Sequence, residues 1–85
     1  MKPVRIYTTP ICPYCARAKA LLGEKGVSYE EIDVFMDVNA RKAMQEKSGG
    51  ARTVPQIFVG ETHVGGCDDL YALERAGKLD ALLAS

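Results

Sequence analysis

An α/β fold, a four-stranded mixed sheet flanked by helices in the order β-α-β-α-β-β-α-α, follows from three features of these 85 residues. Apolar runs of period two alternate with runs of helical period through the first half of the chain, which is the pattern of a βαβ unit with parallel strands. Two short strand-like runs separated by Gly60-Glu61 add an antiparallel hairpin to it. The length leaves room for one core, so residues 1–85 are expected to form a single domain.

Val4–Thr8 sets Val4, Ile6 and Thr8 on one face and Arg5 and Tyr7 on the other, with β-branched and aromatic side chains throughout. Pro10 and Pro13 end this strand, because neither can donate to a ladder. Pro13 suits the first position of a helix, where its missing N–H costs nothing. From Tyr14 an apolar stripe runs through Ala18, Leu21 and Leu22 to Lys25, and Gly26 follows as the helix terminator. Residues 27–34 read as the second strand, Ile32 and Val34 alternating against Glu31 and Asp33. A helix over 38–47 gathers Ala40, Ala43 and Met44 on one face and stops at Ser48-Gly49-Gly50. Gln56-Ile57-Phe58-Val59 and Thr62-His63-Val64 are the third and fourth strands, with Gly60 at the position a type II′ turn reserves for glycine. Asp68 is the expected N-cap of a third helix carrying Leu70 and Leu73 and closed by Gly77. Leu79, Leu82 and Leu83 make a short last helix.

Eleven Lys and Arg balance eleven Asp and Glu, which leaves no basic field for a phosphate backbone or an anionic lipid surface. Neither nucleic acid nor a membrane is an expected partner. No apolar stretch approaches the ~18–20 residues of a bilayer span, and Met1-Lys2-Pro3 runs directly into a strand and not into a secretory leader. Three cysteines in such a chain point to a reducing compartment, where a close pair is catalytic or metal-binding. A cytoplasmic location is expected.

Cys12-Pro13-Tyr14-Cys15 stands at the junction of the first strand and the first helix, the setting in which C-x-x-C reads as a redox pair. Cys12 falls at the N-cap and Cys15 about one turn later, a spacing that brings two sulfurs within disulfide reach. The unpaired N–H groups of the first turn and the positive end of the helix dipole favour an anionic sulfur at the N-cap. Cys12 is therefore the expected attacking sulfur, and the less exposed Cys15 the resolving one. A zinc half-site completed by Cys67 and His63 would ordinarily come with a second paired motif, so no metal is expected. The lone His63 reads as a hairpin surface residue. In Thr53-Val54-Pro55, a cis bond before Pro55 would turn the Val54 N–H and C=O outward. Gly65-Gly66-Cys67-Asp68-Asp69 makes a small concavity of backbone donors suited to a carboxylate. Asp68 or Asp69 beside it is placed to bind an ammonium or to cap the helix, and Cys67 reads most simply as a packing residue.

Ile6-Tyr7-Thr8, Cys12-Pro13-Tyr14-Cys15, Gly50-Ala51-Arg52-Thr53-Val54-Pro55-Gln56-Ile57-Phe58 and Gly65-Gly66-Cys67-Asp68-Asp69-Leu70 together resemble a glutaredoxin of the small bacterial dithiol type. The resemblance spans nearly the whole chain. It implies a thioredoxin-like fold, a cis Pro55, and glutathione as co-substrate with no tightly bound cofactor. It further implies a monomer that reduces glutathionylated or disulfide-bonded proteins, in electron transport and cell redox homeostasis. Carried over residue by residue, Tyr14 lines the glutathione groove and Arg52 meets the glycyl carboxylate. Val54, between Thr53 and Pro55, pairs its backbone with the cysteinyl moiety, and the Gly66-Cys67-Asp68 backbone holds the γ-glutamyl carboxylate. Thr9 stands where the family often has Lys, which leaves Arg52 to supply the charge. A binding module that shares an iron–sulfur cluster between two subunits is the competing class, and Pro13 stiffens the loop against the rearrangement a bridging cluster needs. Against a thioredoxin served by a reductase stand Arg52 and Gly66-Cys67-Asp68.

Overall fold

The sheet is built around β1 (Val4–Thr8), which pairs in parallel with β2 (Tyr29–Asp33) and antiparallel with β3 (Gln56–Val59) in a computed structural model that describes residues 2–84. β4 (Thr62–Gly65) pairs antiparallel with β3 and completes the order β2-β1-β3-β4. The helices are α1 (Pro13–Glu24), α2 (Val38–Lys47), α3 (Cys67–Arg75) and α4 (Leu79–Ala84), so the expected element order is observed in full. The βαβ unit and the hairpin both form as expected. Gly60 takes φ +60° at the hairpin turn, as the first position of a type II′ turn demands.

Because side chains alternate across a strand, β1 and β3 feed two apolar layers. Val4, Ile6, Ile57 and Val59 pack against Leu21 and Leu22 of α1, Leu70 of α3, and Leu79 and Leu83 of α4. On the opposite face Tyr7 and Phe58 pack with Val34 and with Met44 of α2. Each large side chain buried here contributes about 1.5–3 kcal/mol against leaving it in water. Lys25, just past α1, bridges Glu74 of α3 at 2.6 Å and Asp80 of α4 at 2.9 Å.

Two boundaries differ from the sequence reading. The second strand is shorter than 27–34, because the buried Val27 still belongs to the exit from α1, its N–H donating to Leu22 O at 3.4 Å. Asp68 is not the N-cap of α3: Gly66 is, and Asp68 is the second residue of the helix. Gly65 adopts φ +114°, which turns the chain from β4 straight into α3, so the helix begins two residues earlier. Asp69 supplies the side-chain partner, its Oδ2 accepting from Gly66 N–H at 3.0 Å. That is one half of a capping box; glycine lacks the side chain for the other half. Among the described residues no helix is long and apolar enough to cross a membrane.

Candidate active site

Cys12 is the N-cap of α1, in extended backbone at φ −149° and ψ 104°. Its Sγ accepts from Cys15 N–H at 3.2 Å, satisfying one of the four N–H groups that a helix start leaves without an intrahelical partner. Cys12 O completes the cap by accepting from Ala16 N–H at 3.1 Å. The Cys12 thiol donates to Val54 O at 3.9 Å, which ties the start of α1 to the loop before β3. The Val54-Pro55 bond is cis.

The two sulfurs occupy different surroundings. Cys12 is half-buried, whereas Cys15 is 1% exposed among the core residues of α1. Burial pushes the Cys15 thiol from 9.0 up to about 12, with its hydrogen bond to Cys12 and the charge of Cys12 adding, and a Thr9 backbone hydrogen bond opposing. Cys67, the first residue of α3, is buried in the α1 side of the core, and burial also raises its thiol. That agrees with its reading as a packing residue.

At Val54, whose carbonyl accepts from Cys12, an open cleft of about 370 Å³ lies between the first turn of α1, the loop entering β3 and the start of α3; neither Cys12 nor Cys15 is among its lining residues. It brings together Tyr14, Thr53, Val54, Pro55, Gly66, Cys67 and Asp68, seven of the residues that the sequence singled out. Arg52 is exposed and does not line the cleft, and Thr9 faces a separate small hollow with Pro10, Ile11 and Phe35. The cleft also takes Ala51, Gln56, His63, Gly65 and Asp69. Gly65 and Asp69 belong to the concavity already marked in the sequence, and Asp69 stands three residues after the glycine that caps α3. His63 is a hairpin residue and exposed, yet it also reaches the cleft through Gln56, whose Oε1 lies 2.6 Å from its Nε2. Among the described residues no cluster of three or more His, Cys, Asp and Glu could hold a metal ion.

A dithiol at a helix start, its leading sulfur turned to the loop before a cis proline, defines a thiol–disulfide oxidoreductase of thioredoxin-like fold. Residues 4–64 match the family model for glutaredoxin. The chain is 61% identical over 85 residues, all of this chain and all of the relative, to a glutaredoxin of Pseudomonas aeruginosa. In solved structures it resembles the glutaredoxin of Brucella melitensis, at 63% identity and TM-score 0.84 over 98% of this chain and 89% of that one. It also resembles a buckwheat glutaredoxin in complex with glutathione, at 32% identity and TM-score 0.87 over 98% of this chain and 77% of that one. The chain belongs to the glutaredoxin family and is a glutathione-dependent thiol–disulfide oxidoreductase.

Proposed function

We propose that Cys12 is the attacking thiolate, that Cys15 resolves, and that the cleft at Val54 seats glutathione. The observation that carries this reading is the inequality of the two sulfurs: one half-buried at a helix N-terminus, the other enclosed and held protonated. Tyr14, Thr53 and Pro55 wall the groove, and the Val54 main chain meets the cysteinyl part of the tripeptide. The Gly66-Cys67-Asp68 backbone at the N-terminus of α3 receives the γ-glutamyl carboxylate, where N–H groups and helix dipole both favour an anion. Arg52 approaches the glycyl carboxylate from outside the cleft, and Thr9, in its own hollow with Pro10, Ile11 and Phe35, adds no charge to the site.

On a protein–glutathione mixed disulfide, Cys12 thiolate attacks the glutathionyl sulfur. A Cys12–glutathione disulfide forms and the protein leaves as a thiolate, which takes a proton from water. A second glutathione thiolate attacks the bound glutathionyl sulfur, releasing oxidised glutathione and restoring Cys12. On a protein disulfide, Cys12 thiolate attacks one sulfur and expels the other as a thiolate; Cys15 thiolate then attacks Cys12 Sγ and expels the second, leaving the Cys12–Cys15 disulfide, which two glutathione thiols return to the dithiol as oxidised glutathione. Only this second route needs Cys15. The chain works as a single-domain monomer in the cytoplasm, on glutathionylated and disulfide-bonded proteins, in redox homeostasis and electron transport. Cys12→Ser is expected to abolish both reactions, and Cys15→Ser to spare deglutathionylation while losing protein-disulfide reduction. Loss of both reactions in Cys15→Ser with one kept in Cys12→Ser would reverse the assignment.

A further inference from the structure

We propose that Gln56 and His63 form a relay that positions the Thr53-Val54 main chain against Cys12. Gln56 is 4% exposed, yet both ends of its amide are engaged. Its Nε2 donates to Thr53 O at 3.0 Å and to Thr53 Oγ1 at 3.3 Å. A carbonyl oxygen only accepts, so the amide nitrogen has to face Thr53 and the amide oxygen has to face β4. There Oε1 meets His63 Nε2 at 2.6 Å. His63 must therefore carry a proton on Nε2, as its cation and one neutral tautomer do and the other neutral tautomer does not.

The ring that donates is itself fixed. His63 stacks on Phe58 with centroids 4.9 Å apart and planes 28° apart, and Phe58 meets Tyr7 edge-on at 5.7 Å in the α2-side core. At the other end of the relay, Thr53 and Val54 lie outside helix and strand, where no ladder holds their main chain. Val54 O is the acceptor for Cys12. The line Cys12, Val54, Thr53, Gln56, His63 thus runs from the start of α1 to β4, and among the described residues no hydrogen bond joins Gln56 or His63 to a sulfur. Both are positioning residues. Their effect on catalysis rests on the reading of Val54 as the edge that meets glutathione.

The experiment uses steady-state kinetics of the full chain on a mixed disulfide of glutathione with a small thiol, alongside nitrogen NMR of the His63 ring. Gln56→Glu keeps the shape of the side chain but turns the donor into a carboxylate facing Thr53 O. It should raise KM for the mixed disulfide roughly tenfold, as should Gln56→Leu, with kcat little changed. His63→Phe keeps the stacking and removes the donor, so KM should rise roughly two- to tenfold. His63→Gln restores a donor and should recover most of the loss. The wild-type ring should show its proton on Nε2, and Gln56→Leu should redistribute it. Wild-type KM in Gln56→Glu would reduce Gln56 to a space-filler and overturn the relay, as would a wild-type ring protonated on Nδ1 alone. Equal KM in His63→Phe and His63→Gln would do the same, and at an exposed position these two remain informative if a buried variant misfolds. Arg52→Ala and Asp68→Ala separate the two readings. If they raise KM while the Gln56 and His63 variants do not, the relay alone fails; if none of the variants raises KM, the groove reading fails and takes the relay's functional role with it.

Discussion

Replacing Cys12 with alanine should make Cys15 a stronger acid. In the reduced protein the Cys15 thiol is pushed from 9.0 up to about 12, by burial first, then by its hydrogen bond with Cys12, with the Cys12 charge a lesser cause. At pH 7 a thiol at 9.0 is about one part in a hundred thiolate, and one at 12 about one part in 10⁵. Cys15 is thus about a thousandfold poorer in nucleophile than an open thiol. Cys12→Ala removes both contributions of Cys12 and leaves burial, so Cys15 should titrate below 12 and still above 9.0. The carbon-13 shift of the Cys15 β-carbon, followed to pH 11, reads this directly. At that pH about a tenth of wild-type Cys15 should be ionised, and a clearly larger share in Cys12→Ala. Coincident curves in the two proteins would refute the idea that Cys12 restrains its partner. On the proposed route the same restraint lifts once Cys12 is tied up in a mixed disulfide, when the attack by Cys15 is required. The sign for stability follows: the fold holds Cys15 protonated where the unfolded chain ionises it, so stability falls as pH rises from 9.0 toward 12.

Met44→Ala empties a fully buried position between α2 and the sheet and should cost about 2–5 kcal/mol, or roughly 10–30 °C of Tm by calorimetry, while KM for glutathione stays near wild type. Gly65→Ala places a methyl group at φ +114° against the Asp69 carboxylate, so the bond to Gly66 N–H should be lost; the Gly66 amide resonance should shift and thermal stability fall. Glu31 is held below the usual carboxylate range by Lys19 first and by Thr8 second. Its stabilising effect is present above 4.5 and is lost as pH falls through the depressed folded value, so the Tm deficit of Glu31→Gln at pH 7 should vanish in acid.

Local rules carried most of the fold. Pro13 and Gly26 bracket α1, Ser48-Gly49-Gly50 stops α2 and Gly60 sets the hairpin, because each acts on its own few residues. Where neighbours compete, local rules fall short. Asp68 satisfies every sequence requirement of an N-cap, but the turn at Gly65 advances the helix and hands the capping bond to Asp69. Alternation assigned Tyr7 to the second face of β1 without disclosing that it is buried there as deeply as Val4, beside Met44 of α2, while Arg5 on the same face stays exposed. The order β2-β1-β3-β4 depends on pairings across the chain that no short window contains. Around the cleft, Thr53-Val54-Pro55 and Gly66-Cys67-Asp68 could be anticipated from short local motifs that the fold brings together, as could a dithiol pair from the Cys12 and Cys15 spacing at a helix start. Gln56 and His63 could not, since their partnership crosses a hairpin whose register shifts between Ile57 and Phe58.

The outermost strands bear on how this sheet meets other chains. An open strand edge is a template on which a second chain can add a strand. β2 carries Glu30, Glu31 and Asp33 among its five residues, and although Arg5 and Lys19 pair with the first two, two copies meeting edge to edge would set rows of acidic side chains against each other. β4 is four residues long, and the register shift in its ladder with β3 breaks the regularity an incoming strand would have to copy. Both margins therefore discourage lateral growth of the sheet, one by repulsion and the other by brevity. Aggregation through strand exchange is opposed at both edges.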